Sequence, residues 1–294
     1  MELIPAKQIL SQRTYNENWF GTNYNMNIYK GCSHGCIYCD SRSECYGIES
    51  FDKVRGKDKA IDIINTELKA KRKKGVIGTG AMSDPYNPLE KEYYYTRKAL
   101  ELIDLYNFGV AIATKSELIT RDIDILKSIT THSPVIVKIT ITTTEDALGK
   151  KIEPKASLPS KRFEAIKRLS ENGIFAGILL MPVLPFIADN EKNIINIINQ
   201  ASDSGAKFIY PYFGVTLRQG QREYFYSKLD ENFKGIKNKY VEEYGFSYEC
   251  SSVRSKELWK IFKTECDKRG ILYKMSDIIK AYQSPYEKEQ LSFF

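Results

Sequence analysis

The chain has 294 residues, 42% of them hydrophobic and 28% charged, with a formal net charge of +7. That balance is ordinary for a soluble globular protein long enough to bury a sizeable core. No run of ~18 apolar residues occurs and the opening MELIPAKQIL lacks the layout of a signal peptide, so neither a membrane span nor secretion is expected and a cytoplasmic location follows. The mild basic excess permits a nucleic-acid partner without demanding one.

In chain order, YNMNIYK (residues 24–30) reads as a first strand, and the cysteine-rich stretch from 32 to 45 follows it directly. Residues 58–74 predict a helix with Ile61, Ile64 and Leu68 on one face. Its closing KAKRKK run suits the negative end of a helix dipole. VIGTG (76–80) is a second, short strand. Residues 91–106 read as a helix and GVAIAT (109–114) as a third strand. Thr120 is expected to cap a helix running through RDIDILKSI. PVIVKITIT (134–142) is rich in β-branched residues and predicts the fourth strand. A helix over 160–172, a strand through IFAGILLMPVLP, a helix over 190–204 and a strand in KFIYPYF complete the series.

Six strands alternating with helices point to βαβ units and a parallel sheet, buried on both faces. From about Val215 the pattern turns to charged, aromatic-rich helices. The expected organisation is a core over residues 1–214 with a helical extension over 215–294 packed on it. In parallel α/β folds, ligands bind at the C-terminal ends of the strands. Every unusual polar segment, the cysteine loop first, follows a strand and so falls on that rim.

The six cysteines are Cys32, Cys36, Cys39, Cys45, Cys250 and Cys266. In a cytoplasmic chain, clustered thiols hold a metal or do redox chemistry more often than they pair. Structural zinc prefers four ligands in two pairs, and no second pair exists here. His34 lies inside the loop, badly placed to reach the same ion. Cys45 is available as a fourth ligand; without it, a three-thiolate set leaves a position open for chemistry. Cys250 and Cys266 sit in helical patterns and read as small core residues.

The motif Cys32-x3-Cys36-x-Tyr38-Cys39 after a first strand resembles the radical S-adenosylmethionine (SAM) enzymes. The resemblance implies a partial (β/α)6 TIM-like barrel of parallel strands. It also implies that Cys32, Cys36 and Cys39 hold a [4Fe-4S] cluster, with SAM chelated at the fourth iron and Tyr38 near its adenine. The implied reaction is reductive cleavage of SAM to a 5′-deoxyadenosyl radical, which takes a hydrogen atom from a substrate. That needs a reducing partner of the flavodoxin or ferredoxin type and a dry, tight site.

SDPYNPLE, ATKSELITRDIDIL and RLSENGIFAGILLMPVLPF are similar to the spore photoproduct lyase-related branch, often labelled DNA repair photolyase-like. The similarity runs from about Tyr24 to Tyr226. It implies that Ser83 and Lys115 hold the SAM carboxylate, that Thr140 and Thr142 touch the ribose, and that Met181 lies along the adenine. On the residues alone, Lys115 also reads as a strand-end surface lysine, the threonines as plain strand residues and Met181 as core. One departure matters: Met82 stands where spore photoproduct lyase carries a hydrogen-donating cysteine, and a thioether has no S–H to give. Membership of the branch therefore does not bring that repair reaction with it, and the substrate is left open, nucleic acid among the candidates.

Weaker candidates for catalysis are Asp84 and Tyr86, in a segment that also reads as turn chemistry, together with Arg218 and Cys45; Arg218 and Arg222 read either as a grip for a phosphate or carboxylate or as ordinary surface arginines. His132 reads as a loop residue. A second reading of the whole chain is a non-catalytic iron–sulfur or zinc protein that binds nucleic acid. A structural site needs only its ligands, whereas a catalytic one needs a cofactor cradle beside them.

Overall fold

The computed structural model describes residues 1–12 and 19–286. Six parallel strands form the centre: β1 (Tyr24–Met26), β2 (Val76–Thr79), β3 (Gly109–Thr114), β4 (Val135–Thr140), β5 (Phe175–Leu180) and β6 (Ile209–Pro211). They lie side by side in chain order, and Leu10–Gln12 adds an antiparallel edge beside β1. The sheet is the expected partial TIM-like barrel.

Strand residues alternate between two cores, as a period of two requires. Val110 and Ile112 of β3 join the helix-side core with Ile64, Leu100, Ile166 and Ile197. Ala111 turns inward, in one cluster with Ile136, Phe208, Phe20, Ile278 and Tyr282. The inner face is therefore plugged by residue Phe20 and by the Met275–Gln283 helix, whose Tyr282 hydroxyl donates to the Phe20 carbonyl at 2.5 Å. Burial on both faces explains why β2 and β4 carry no exposed residue.

Several local expectations shift. The stretch 24–30 splits: Tyr29–Lys30 leaves the main sheet and pairs antiparallel with Arg55–Lys57. The helix expected over 91–106 breaks at Tyr94, where φ is +56°, into Glu90–Tyr93 and Tyr95–Leu105. The 58–74 helix ends at Ala70, so most of the lysine run lies beyond it. Thr120 is not a cap. Ser116 caps a 3-10 turn over Glu117–Asp122, accepting from the Leu118 N–H, and the α-helix starts only at Ile123. Ser116 shows the same side-chain oxygen signal four residues earlier.

Beyond Val215 the chain is mainly helical, with an added two-stranded sheet: Gly214–Thr216 pairs antiparallel with Glu249–Ser251. Cys250 is thus on a strand rather than a helix, although buried as expected, and Cys266 is buried on the Ser255–Arg269 helix. That helix shares the main core through Leu258, Phe262 and Cys266. Among the described residues no helix is long and apolar enough to cross a membrane.

Two glycines shape the rim. Gly31, at φ +81°, precedes Cys32, and a Cβ there would lie 2.6 Å from the Lys53 carbonyl oxygen. Gly80, at φ +94°, follows β2, and its Cβ would lie 2.0 Å from the Ala113 carbonyl oxygen. Gly80→Ala is expected to cost roughly 2–4 kcal/mol, from positive-φ strain plus overpacking against backbone that cannot yield. Chemical denaturation measures it; a change under 1 kcal/mol would show that the β2 and β3 ends are not held this close.

Candidate active site

A cavity of about 670 Å³ opens at the C-terminal ends of the strands. Cys32, Cys36 and Cys39 all line it, as do Tyr38, Ser83, Asp84, Lys115, Thr140 and Met181. One rim thus gathers segments from five strand ends and the cysteine loop.

The loop is pinned at several points. The Cys32 N–H donates to the Phe51 carbonyl at 2.8 Å, and the Ile37 N–H to the Ile152 carbonyl at 2.9 Å. The Ser83 hydroxyl donates to the Gly31 carbonyl at 2.5 Å, tying the β2 loop to the residue before Cys32. Asp84 is the larger tie. Its carboxylate accepts from the Tyr86 N–H at 2.9 Å, the Thr114 hydroxyl at 2.7 Å and the Lys115 N–H at 2.7 Å, and lies 3.3 Å from His34 Nδ1. Burial alone would raise its pKa, but the His34 charge and these hydrogen bonds bring it down to about 2. A carboxylate with every lone pair in use positions two loops; it is badly placed to act as a base.

Burial pushes all three thiols up: Cys32 to about 11, Cys36 well above its ordinary value, and Cys39 upward against the pull of Lys115. Thiols this buried become thiolates only when cations arrive to take the charge, which suits metal ligands and not an exposed nucleophile. Among the described residues no three His, Cys, Asp or Glu side chains converge to hold a single metal ion. A multi-iron cluster takes one thiolate per iron and asks for no such convergence.

Lys115 follows β3 and is half-buried against the cavity. Burial would lower its pKa, but the Cys36, Glu153, Cys39 and Asp84 groups raise it overall, so it is charged at any physiological pH. Its ammonium lies 5.7 Å from the Tyr38 ring centroid and makes no hydrogen bond or ion pair among the described residues. A charged, unpaired donor facing a cavity has the chemistry to take a carboxylate or phosphate.

Glu153 and Arg162 escaped the sequence reading. The Tyr38 hydroxyl donates to Glu153, and Glu153 pairs with Arg162 Nη1 at 2.5 Å with both side chains 1% exposed. Arg162 also donates to the Thr140 carbonyl at 2.9 Å and the Ser157 carbonyl at 2.7 Å. The pair joins the cysteine loop to β4 and the Pro159–Glu171 helix. Arg162 sits on the apolar face of that helix with Phe163 and Ile166, and a buried arginine in a helical pattern was the available signal.

The other candidates fall elsewhere. Thr142 lies past the end of β4, buried, with its hydroxyl unpartnered, and it does not line the cavity. Tyr86 is buried behind the rim and lines a smaller cavity. Cys45 and Arg218 line a separate surface groove, 3.8 Å apart, with Arg218 paired to Asp40 at 3.2 Å. Arg222 is no anion site: its guanidinium donates to the carbonyls of Leu217, Gly245, Phe246 and Ser247. His132 lies in a turn against Asp104, 2.8 Å away. Met82 lines the cavity, and Cys32, Cys36 and Cys39 are its only thiols among the described residues.

A sequence profile of the radical SAM superfamily matches residues 26–198, more than half of the chain. An uncharacterized protein of Methanocaldococcus jannaschii is 32% identical over 231 residues, covering 76% of this chain and 85% of its own. An uncharacterized protein of Acidianus two-tailed virus is 28% identical over 261 residues, covering 80% and 82%. Among solved structures, spore photoproduct lyase complexed with dinucleoside spore photoproduct superimposes with a TM-score of 0.67 at 13% identity, over 92% of this chain and 80% of that one. Streptococcus suis SuiB bound to precursor peptide SuiA gives 0.53 at 13% identity, over 85% of this chain and 47% of that one. At these identities the structural likeness establishes a shared fold.

Proposed function

The chain belongs to the radical SAM superfamily, and from that premise we propose that its rim cavity binds a [4Fe-4S] cluster through Cys32, Cys36 and Cys39 and SAM beside it. The observation that carries this reading is the unpaired Lys115 ammonium in the same cavity as all three thiols. When bound, the cluster supplies an electron that cleaves SAM to a 5′-deoxyadenosyl radical, which removes a hydrogen atom from the substrate. The chain's own part is to hold and exclude. Lys115 takes the SAM carboxylate. Tyr38, fixed by Glu153, presents its ring to the adenine, and Met181 adds a soft apolar contact. Thr140 lines the wall where a ribose hydroxyl would sit. Ser83 supports the cluster loop through Gly31; its one hydrogen is committed to that carbonyl, so it does not donate to the SAM carboxylate as the resemblance implied, and Lys115 alone takes that role. Asp84 locks the loops and keeps the geometry fixed.

Nucleic acid is the substrate class we favour, supported by the fold's likeness to spore photoproduct lyase in complex with a dinucleoside. Spore photoproduct repair itself is not proposed, because Met82 supplies no S–H and no fourth thiol lines the cavity among the described residues. A DNA or RNA ligand should show affinity that falls steeply with salt; binding that ignores salt would point to a peptide or small molecule.

The test of the reaction is anaerobic. Protein with reconstituted cluster is given dithionite and SAM, and 5′-deoxyadenosine is measured by chromatography. Formation of that product is expected. Its absence from protein with full cluster and bound SAM would overturn the reading. Lys115→Ala should weaken SAM binding by about 10- to 100-fold, the usual worth of a hydrogen bond to a charged group, while leaving the fold intact. Calorimetric titration measures it, and an unchanged affinity would remove Lys115 from the site.

A further inference from the structure

A second cavity, of about 460 Å³, is built mainly by the segment after β3, from Ser116 to Arg121, and reaches the cysteine loop at His34. It is lined by four cations, Lys91, Arg121, Lys155 and Arg168, against a single carboxylate, Glu117. Arg121 is already committed to Glu90 and Asp122. The other three are exposed, and none has an acidic partner among the described residues. Among the described residues, Arg168 donates only to the Thr120 hydroxyl, at 2.9 Å, and the Lys91 and Lys155 ammonium groups make no bond.

The two cavities share one residue, His34. His34 stands midway between Cys32 and Cys36, and its carbonyl accepts from the Lys155 N–H at 3.0 Å. A body seated on the basic cavity therefore approaches the loop that carries the thiols at the buried His34, without entering the cavity that must admit SAM and substrate.

We propose that the basic face formed by Lys91, Lys155 and Arg168 docks the small acidic redox protein, of the flavodoxin or ferredoxin type, that reduces the cluster through the His34 wall. The proposal rests on the radical SAM reading above. In the step, the donor protein loses one electron and the cluster gains one; no bond is made or broken. Charge complementarity selects the partner: three unpaired cations steer and orient an acidic protein, and they do so most strongly at low salt. Nucleic acid is also acidic, but a nucleic-acid substrate must reach the other cavity, which meets this one only at the buried His34.

The test uses cluster-loaded protein and the variant Lys91→Glu/Lys155→Glu/Arg168→Glu, whose changes are all at exposed positions. Binding of a flavodoxin and of a [2Fe-2S] ferredoxin is measured by calorimetry across ionic strengths, and cluster reduction is followed by stopped-flow. Wild type should bind at least one of them with salt-sensitive affinity. The variant should lose about tenfold or more in both affinity and protein-driven reduction rate at low salt. Reduction by dithionite should be unchanged. Equal donor binding and reduction in both proteins, with dithionite-driven SAM cleavage intact, would overturn the docking face alone. Loss of a labelled oligonucleotide's binding with donor binding untouched would also overturn it and assign the face to nucleic acid. Failure of dithionite-driven cleavage in wild type would instead overturn the reaction itself.

Discussion

Cys36→Ala is expected to abolish cluster assembly and reduce 5′-deoxyadenosine formation to background, while the protein still folds. Cys36 is 6% exposed and packs in a cluster with Ile37, Tyr38, Ile152 and Val215. Removing one sulfur from that packing costs on the order of 1 kcal/mol, too little to unfold a domain of this size. The cost to the cluster is far larger. Burial holds the Cys36 thiol well above its ordinary pKa, so it is no preformed thiolate and metal binding must draw out its proton. With alanine there, one iron of the proposed cluster would lose its only protein ligand, and no thiol besides Cys32 and Cys39 lines the cavity among the described residues to replace it. Iron and sulfide content after anaerobic reconstitution, with visible absorbance, measures the first effect. Cys266→Ala is the control. It deletes a fully buried thiol, from the Ser255–Arg269 helix, that does not line the cavity, and should leave cluster and cleavage intact. A cluster that survives Cys36→Ala at full iron content would move the ligand set elsewhere.

The barrel and the gathering of three thiols at one rim were legible because each rests on a local pattern. Six apolar runs interleaved with amphipathic helices leave few topologies, and the spacing of Cys32, Cys36 and Cys39 is set within one loop. Thr142 was misjudged because the strand was read two residues too long: β4 ends at Thr140, and alternation past the last paired residue no longer predicts which way a side chain faces. Arg218 and Cys45 follow the right elements but lean into the neighbouring groove, a matter of loop direction that spacing does not encode. Glu153 and Arg162 were missed for a deeper reason. They are nine residues apart on different elements, and neither belongs to a motif. Only packing shows that the glutamate reaches a tyrosine 115 positions before it.

That pair yields the second large effect. Glu153→Gln is expected to destabilise the fold by about 3–5 kcal/mol, because it leaves the Arg162 guanidinium buried and uncompensated. In a chain of this length that corresponds to a fall in Tm on the order of 10 °C. Arg162 keeps its carbonyl partners at Thr140 and Ser157, so the loss is of charge balance and not of every contact. The sign with pH follows from the carboxyl. Burial would raise the Glu153 pKa, but the charges of Arg162 and Lys115 and the Tyr38 hydrogen bond hold it below its ordinary value near 4.5. The pair's stabilisation is therefore full above that value and is lost as pH falls through the lower folded one, so wild type and variant should converge in strong acid. A purely structural pair predicts nothing more. A pair that also aims the Tyr38 ring predicts a second deficit. In Glu153→Gln/Arg162→Met, where the orphaned charge is gone, stability should largely return. SAM affinity should not, because the Tyr38 hydroxyl has lost its charged acceptor. Full recovery of both would reduce Glu153 and Arg162 to a buried brace. Recovery of stability alone would make them positioning residues for the cofactor.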